Sequence, residues 1–214
     1  MAWHAAAAQV PATPPQAPVD QTAEFLKQYA AVPRVTVPVS GGGATVLIVK
    51  FTDYQCPACA ATHRLYRPVL DKYEAEFPGA VKLVTKDFPL NTDCNASLAQ
   101  TIHAAGCEAA IAVALARGQK HGPEMEDWLY SNQQVLTPAT VRKAADIIGG
   151  VQDFTTGYAQ ALNQVKSDAA LGRLLDVTST PTFFINGAKI AAVLQPEMFD
   201  AAIAYELRKA GKMK

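Results

Sequence analysis

The strongest hydrophobic signal in the chain is the continuous apolar run of residues 45–51, centred on Val46-Leu47-Ile48-Val49. Such a run predicts a central strand buried on both faces. Upstream, residues 22–31 place Phe25, Leu26 and Tyr29 at helical spacing until Pro33 stops the pattern. Residues 34–39 alternate like an edge strand, and Gly41-Gly42-Gly43 supplies a turn. From Cys56 onward the period is helical, with Leu65, Val69, Leu70, Tyr73 and Phe77 on one stripe and Pro78-Gly79 ending it. Pro68 removes a backbone donor inside this helix and is expected to kink it. Residues 80–88 read as a second strand. A strand–helix–strand unit implies parallel neighbours with a right-handed crossover.

Residues 91–176 show helical periodicity without a convincing strand, including an Ala-rich stretch over 104–117 and apolar positions at Val141, Ala145 and Ile148. Two to four helices are expected there. Residues 183–186 and 189–193 flank Asn186-Gly187, a strong hairpin signal, and residues 198–209 close as an amphipathic helix. The order strand, helix, strand, helical block, hairpin, helix is an α/β order, that of a thioredoxin-like fold with an inserted helical subdomain. The expected divisions are a flexible leader or linker over 1–20, the N-terminal part of the fold over 21–90, the helical insertion over 91–176 and the C-terminal part over 177–214.

Composition narrows the function classes. Nineteen basic against nineteen acidic residues make no basic field, so nucleic acid is not an expected partner. No window reaches the eighteen or so apolar residues of a membrane span, and a soluble chain is expected, with the Ala-, Pro- and Gln-rich residues 1–18 as an extended leader. The four cysteines fall along the chain as Cys56 with Cys59 and Cys94 with Cys107, and three pairings are open. A bridge between Cys94 and Cys107 would imply an oxidising compartment.

The chemistry concentrates at Cys56-Pro57-Ala58-Cys59. Disulfide exchange needs one thiolate that attacks or leaves and a second thiol near enough to resolve the mixed disulfide. Cys56 stands where a buried strand meets a helix start, where free N–H groups and the helix dipole lower a thiol pKa. Pro57 suits the first helical position, and Cys59, a turn further in, suits the resolving role. A different class stays open: the CxxC pair could be part of a zinc site with His63, in a non-catalytic interaction module, although a structural zinc site wants four ligands. His63 otherwise reads as a helix-surface residue or an accessory.

The segments Phe51-Thr52-Asp53-Tyr54-Gln55-Cys56-Pro57-Ala58-Cys59 and Thr180-Pro181-Thr182-Phe183-Phe184-Ile185-Asn186-Gly187 together resemble the DsbA-like branch of the thioredoxin superfamily. Closer still, Asp53-Tyr54-Gln55-Cys56-Pro57, Lys86-Asp87-Phe88-Pro89-Leu90 and Cys94 with Cys107 look like the thioredoxin-like domains fused to bacterial vitamin K epoxide reductase homologues. The resemblance implies a protein disulfide oxidoreductase outside the cytoplasm, periplasmic or on the outer face of the cytoplasmic membrane and tethered in a longer protein. Its partners would be reduced or unfolded substrate proteins and a quinone-linked membrane protein that reoxidises it; no cofactor and no metal are implied. It also implies that Pro181 is cis and faces the cysteines and that Thr180 presents backbone to an extended substrate. Cys94 and Cys107 are expected to form a structural disulfide, with a second redox-active pair shuttling electrons to Cys56 and Cys59 as the alternative. The same residues could run as a reductase or isomerase, because potential and partners set the direction.

One departure stands out. Thioredoxin-like proteins carry a buried acid six residues before the first cysteine, and here that residue is Lys50. A buried lysine needs a partner, and Asp87 on the neighbouring strand is the candidate, with a proton-relay role of its own. Otherwise Lys50 snorkels to solvent.

Overall fold

A computed structural model describes residues 20–213, so the leader expected over residues 1–20 lies outside the described residues except for Asp20. Helix α1 (Gln21–Ala31) precedes strand β1 (Val46–Thr52), helix α2 (Pro57–Glu76) and strand β2 (Val81–Asp87). Four helices follow, α3 (Gly106–Gly118), α4 (Gly122–Ser131), α5 (Pro138–Ile147) and α6 (Tyr158–Leu174), with a 3-10 turn at Gln133–Val135 between α4 and α5. The hairpin β3 (Thr182–Ile185) and β4 (Ala188–Ile190) and helix α7 (Pro196–Lys209) complete the chain. The sheet order is β2-β1-β3-β4, with β1 parallel to β2 and antiparallel to β3. This is the thioredoxin-like α/β fold the element order predicts.

Alternation along β1 sends side chains to two different cores. Val46 and Ile48 join Tyr66, Tyr73, Phe199 and Ile203 on the α2–α7 face, whereas Val49 and Phe51 join Phe88, Ala169 and Phe184 beneath α6. Lys50 and Thr52 share the face of Ile48, which turns both toward α2 and the cysteines. A third core holds α3, α4 and α5 together and includes Cys56, Cys59, Cys94 and Cys107.

Three expectations are corrected. Residues 34–39 form no strand: only Arg34 bridges to Ala188, because Pro33 and Pro38 lack donors and a ladder cannot propagate. Val37 and Val39 satisfy the alternation by packing on the α6-side core instead. On α2 Leu65 is exposed, at 43 %, and Tyr66 takes its place in the core, while Val69, Leu70, Tyr73 and Phe77 pack there as expected. The hairpin ladder ends at Ile190 rather than Val193. Its turn is as expected, with Asn186 at φ 44° and Gly187 at φ 82°. Gly187 is required twice, since a Cβ there would also stand 2.3 Å from the Val35 carbonyl oxygen. Helix α2 is continuous through Pro68.

Candidate active site

Cys56 is the N-cap of α2, with extended backbone and Pro57 in the first helical position. Its N–H donates to Asp53 O at 3.1 Å, and its carbonyl accepts from the N–H groups of Cys59 and Ala60 at 3.1 and 3.2 Å. Gln133 braces the same turn from the helical insertion: its Nε2 donates to Tyr54 O at 2.8 Å and to Cys56 O at 2.9 Å. Cys59 is fully buried, while Cys56 keeps 7 % exposure, which makes Cys56 the sulfur that solvent and partners reach.

The Thr180–Pro181 peptide is cis, and the Thr180 carbonyl oxygen lies 3.3 Å from Cys56 Sγ. The two segments singled out in the sequence therefore meet, 124 residues apart in the chain. Thr180 Oγ1 is buried without a partner of its own.

The two thiols are electrostatically unlike. Hydrogen bonding from the Cys59 thiol, then from Thr180 and the N–H groups of Cys59 and Ala58, outweighs burial and brings Cys56 down to about 5. Burial, and then the neighbouring Cys56 sulfur, push Cys59 well above the ordinary thiol range. Near neutral pH the pair therefore holds one thiolate, and it is Cys56.

Lys50 and Asp87 are both buried at this site, but they do not pair. In the β1–β2 register Lys50 faces Thr85 and Asp87 faces Thr52, an offset of two residues, or about 6.6 Å along a strand. Lys50 Nζ instead donates to Cys59 O at 3.4 Å and lies 5.2 Å from the centre of the Tyr130 ring. Burial lowers the Lys50 pKa, opposed by attraction to Cys59, Glu126 and Cys56. Lys50 also lines a cleft of about 210 Å³ with Thr62, His63, Arg67 and Glu126. Its end is thus neither snorkelled nor paired with an acid. Asp87 Oδ1 has no partner, and burial, opposed mainly by Arg117, raises this carboxyl to about 7.

Cys94 and Cys107 are joined in a disulfide. His63 Nε2 lies against Asp127, with its ring packed on Tyr130. Sequence reasoning missed Gln133, Tyr130, His103 and the role of the Asp53 side chain. Only Asp53 left a local trace, as part of the segment that carries the resemblance.

A slightly accessible, acidified thiol at a helix start, a buried second thiol one turn on and a facing cis-proline loop are the parts that thiol–disulfide exchange needs. Residues 41–204 match the family described as thioredoxin, and the chain belongs to it. A periplasmic thioredoxin-like protein from Salmonella enterica serovar Typhimurium superposes with a TM-score of 0.59 at 20% identity, over 90% of this chain and 99% of that one. The α-DsbA1 of Wolbachia pipientis superposes at 0.62 and 18% identity, over 78% of this chain and 88% of its own. A curated relative, the Na(+)/H(+) antiporter NhaA 1 of Mycobacterium sp. (strain KMS), is 28% identical over 151 residues, 68% of this chain. The chain spans only 22% of that antiporter's length. Among the described residues no helix is long and apolar enough to cross a membrane.

Proposed function

We propose that the chain is a disulfide donor to proteins outside the cytoplasm. The observation that carries this reading is the place of Cys56 at the N-cap of α2, one turn from the fully buried Cys59, an arrangement that stabilises the Cys56 thiolate. Stabilising the thiolate stabilises the dithiol form relative to the disulfide, and a couple whose reduced form is favoured is oxidising. In the donor half-cycle a substrate thiolate attacks Cys56 Sγ, the Cys56–Cys59 bond breaks, and Cys59 leaves and takes a proton. A second substrate thiolate then attacks the substrate sulfur of the mixed disulfide and expels the Cys56 thiolate. The substrate loses two electrons and the Cys56–Cys59 pair gains them.

In this reading Pro57 and Ala58 shape the helix start, Thr180 and Pro181 form the surface an extended substrate lies against, and Lys50 and Asp87 support proton movement at the buried thiol. Cys94–Cys107 is structural and takes no electrons. The helices within residues 91–176 act as an insertion that braces the site, as Gln133 does. A quinone-linked membrane protein of the vitamin K epoxide reductase type reoxidises the pair, with this chain tethered to it in a longer polypeptide. That assignment rests on the resemblance of residues 53–57 and 86–90 and on the positions of Cys94 and Cys107. Extracytoplasmic placement is supported by the periplasmic relative of the same fold and by the Cys94–Cys107 bridge.

The test is equilibration in glutathione buffers of graded potential, with thiol counting and mass mapping on the native chain and on Cys56→Ser. Conversion of Cys56–Cys59 to the dithiol at an oxidising potential, with Cys94–Cys107 intact, supports a donor. A pair that becomes a disulfide only in the most oxidising buffers is more oxidising still; one that stays a disulfide in strongly reducing buffers is a reductase, and the donor reading falls.

A further inference from the structure

The loop between β2 and α3 is tied at three points to the few residues that precede Cys56. Leu90 N donates to Asp53 Oδ2 at 2.6 Å, His103 Nδ1 meets the same oxygen at 2.9 Å, and Ala105 N donates to Gln55 Oε1 at 2.9 Å. Asn91 Nδ2 holds the carbonyls of His103 and Ala104, and the Cys94–Cys107 disulfide closes the loop around them. Gly106, the first residue of α3, passes so close that a Cβ there would stand 3.1 Å from Asp53 Oδ2.

The Asp53 side chain is wholly buried. Its other oxygen, Oδ1, accepts from Gln55 N at 2.7 Å, and its backbone carbonyl accepts from Cys56 N. The carboxylate is thus built into the turn that delivers the reactive thiol. A buried negative charge three residues from a group that must become a thiolate opposes that ionisation. Pro57 and Ala58 bring no positive charge to offset it.

We propose that His103 is a positioning residue for the chemistry of Cys56: as an imidazolium paired with Asp53, it cancels the carboxylate's charge at the turn and so preserves the Cys56 thiolate. This deepens the oxidoreductase reading and rests on it. His103 is suited to the role because its side chain is 16% exposed, open enough to exchange protons yet fixed by its neighbour. The Asp53 bond, against some burial, raises its pKa, and attraction to Asp53 and to Cys56 adds to the rise. The titratable groups that bear on the ring are therefore Asp53, from the β1–α2 turn, and Cys56, from the start of α2.

His103→Gln separates charge from tether, because glutamine keeps an N–H donor for Asp53 and loses the positive charge. The expected result is a Cys56 alkylation profile displaced upward in pH, with about a twofold lower rate near pH 5, equivalent to roughly half a pKa unit, and an unchanged plateau. His103→Arg, which restores the charge, is expected to return the profile. A purely structural role would instead lower the melting temperature and leave the profile in place. If the variants fold poorly, the native chain supplies the same information: coupling is reciprocal, so the NMR titration of His103 shifts downward when the Cys56–Cys59 disulfide replaces the thiolate. Superimposed alkylation profiles, or a His103 titration indifferent to the redox state, overturn the inference. A native Cys56 that alkylates like an ordinary cysteine overturns the nucleophile reading beneath it as well.

Discussion

The Thr180 carbonyl oxygen stands 3.3 Å from Cys56 Sγ, while the hydroxyl of the same threonine is buried without a partner. One residue thus closes off one side of the reactive sulfur and brings an unspent donor to its neighbourhood. That donor is available to the thiolate and idle for the thiol, so it favours the ionised form. It also costs stability whenever nothing accepts it.

Thr180→Val keeps the shape and removes the hydroxyl. The expected outcome is two opposite changes: stability rises by up to about 1 kcal/mol as an unpaired buried group disappears, and the Cys56 pKa rises because the Thr180 contribution is lost. Urea unfolding and the pH dependence of alkylation measure the two. A fall in stability with an unmoved Cys56 profile would show that the hydroxyl is satisfied and remote from the sulfur.

The low Cys56 pKa also makes the redox states differ in their response to pH. A folded value of about 5 against about 9 for the free thiol is a depressed acid, whose stabilisation builds as pH rises from 5 toward 9 and is lost as pH falls through 5. The disulfide form has no such group. The reduced form should therefore gain on the oxidised form by about 3 kcal/mol between pH 5 and pH 8. Urea midpoints of both forms at the two pH values check this, and a gap that ignores pH would contradict it.

The parts of this molecule legible in the sequence are those whose physics is local. The run from Val46 to Val49, the helix start at Cys56-Pro57 and the Asn186-Gly187 turn each carry their own periodicity or backbone preference, and each stands where expected. The segment 34–39 misled because alternation reports which side chains turn inward, and Val37 and Val39 are half-buried against a core without a ladder. Lys50 was legible as a buried anomaly, yet its partner was not, since a register offset of two residues separates Asp87 from it. Gln133 and His103 reach the site from the insertion across 77 and 50 residues of sequence, and contacts that distant leave no periodic trace.

Asp87 supplies a second pH signature with the opposite sign. Burial raises its carboxyl to about 7 from an ordinary 3.8, so the cost of keeping it in the fold is absent below about pH 4, grows as pH rises to 7 and is constant above. Asp87→Asn removes the charge and with it this pH dependence. Relative to the native chain, the variant should gain about 2 to 4 kcal/mol between pH 4 and pH 8. Denaturant unfolding at both values tests it; a constant difference would mean that Asp87 ionises freely.

The Cys94–Cys107 bridge spans 13 residues and closes the loop that carries His103. Replacing both cysteines by alanine should cost about 3 kcal/mol of stability in the chain-entropy account. Cys56 and Cys59 should still exchange disulfides in the variant at low temperature, where it remains folded. Loss of exchange in a folded double variant would instead mean that electrons pass through Cys94 and Cys107.

Lys50 is the side chain whose replacement should improve the fold and impair the chemistry. It is buried with a carbonyl and an aromatic face for company, and no carboxylate pairs with it among the described residues, so Lys50→Met exchanges a poorly solvated amine for an apolar group of similar length. Stability should rise by about 1 to 2 kcal/mol. The same positive charge lowers the Cys59 pKa against burial. A sulfur of lower pKa leaves faster, so without Lys50 a thiolate attacking the oxidised pair at Cys56 expels a poorer leaving group. Stopped-flow reduction by a small dithiol should slow severalfold in Lys50→Met while the alkylation profile of Cys56, set mainly by Cys59, Thr180 and backbone N–H groups, moves little. A slower reaction with an unaltered Cys56 profile places Lys50 at the leaving sulfur. An unchanged rate in a more stable protein would place it in the core alone.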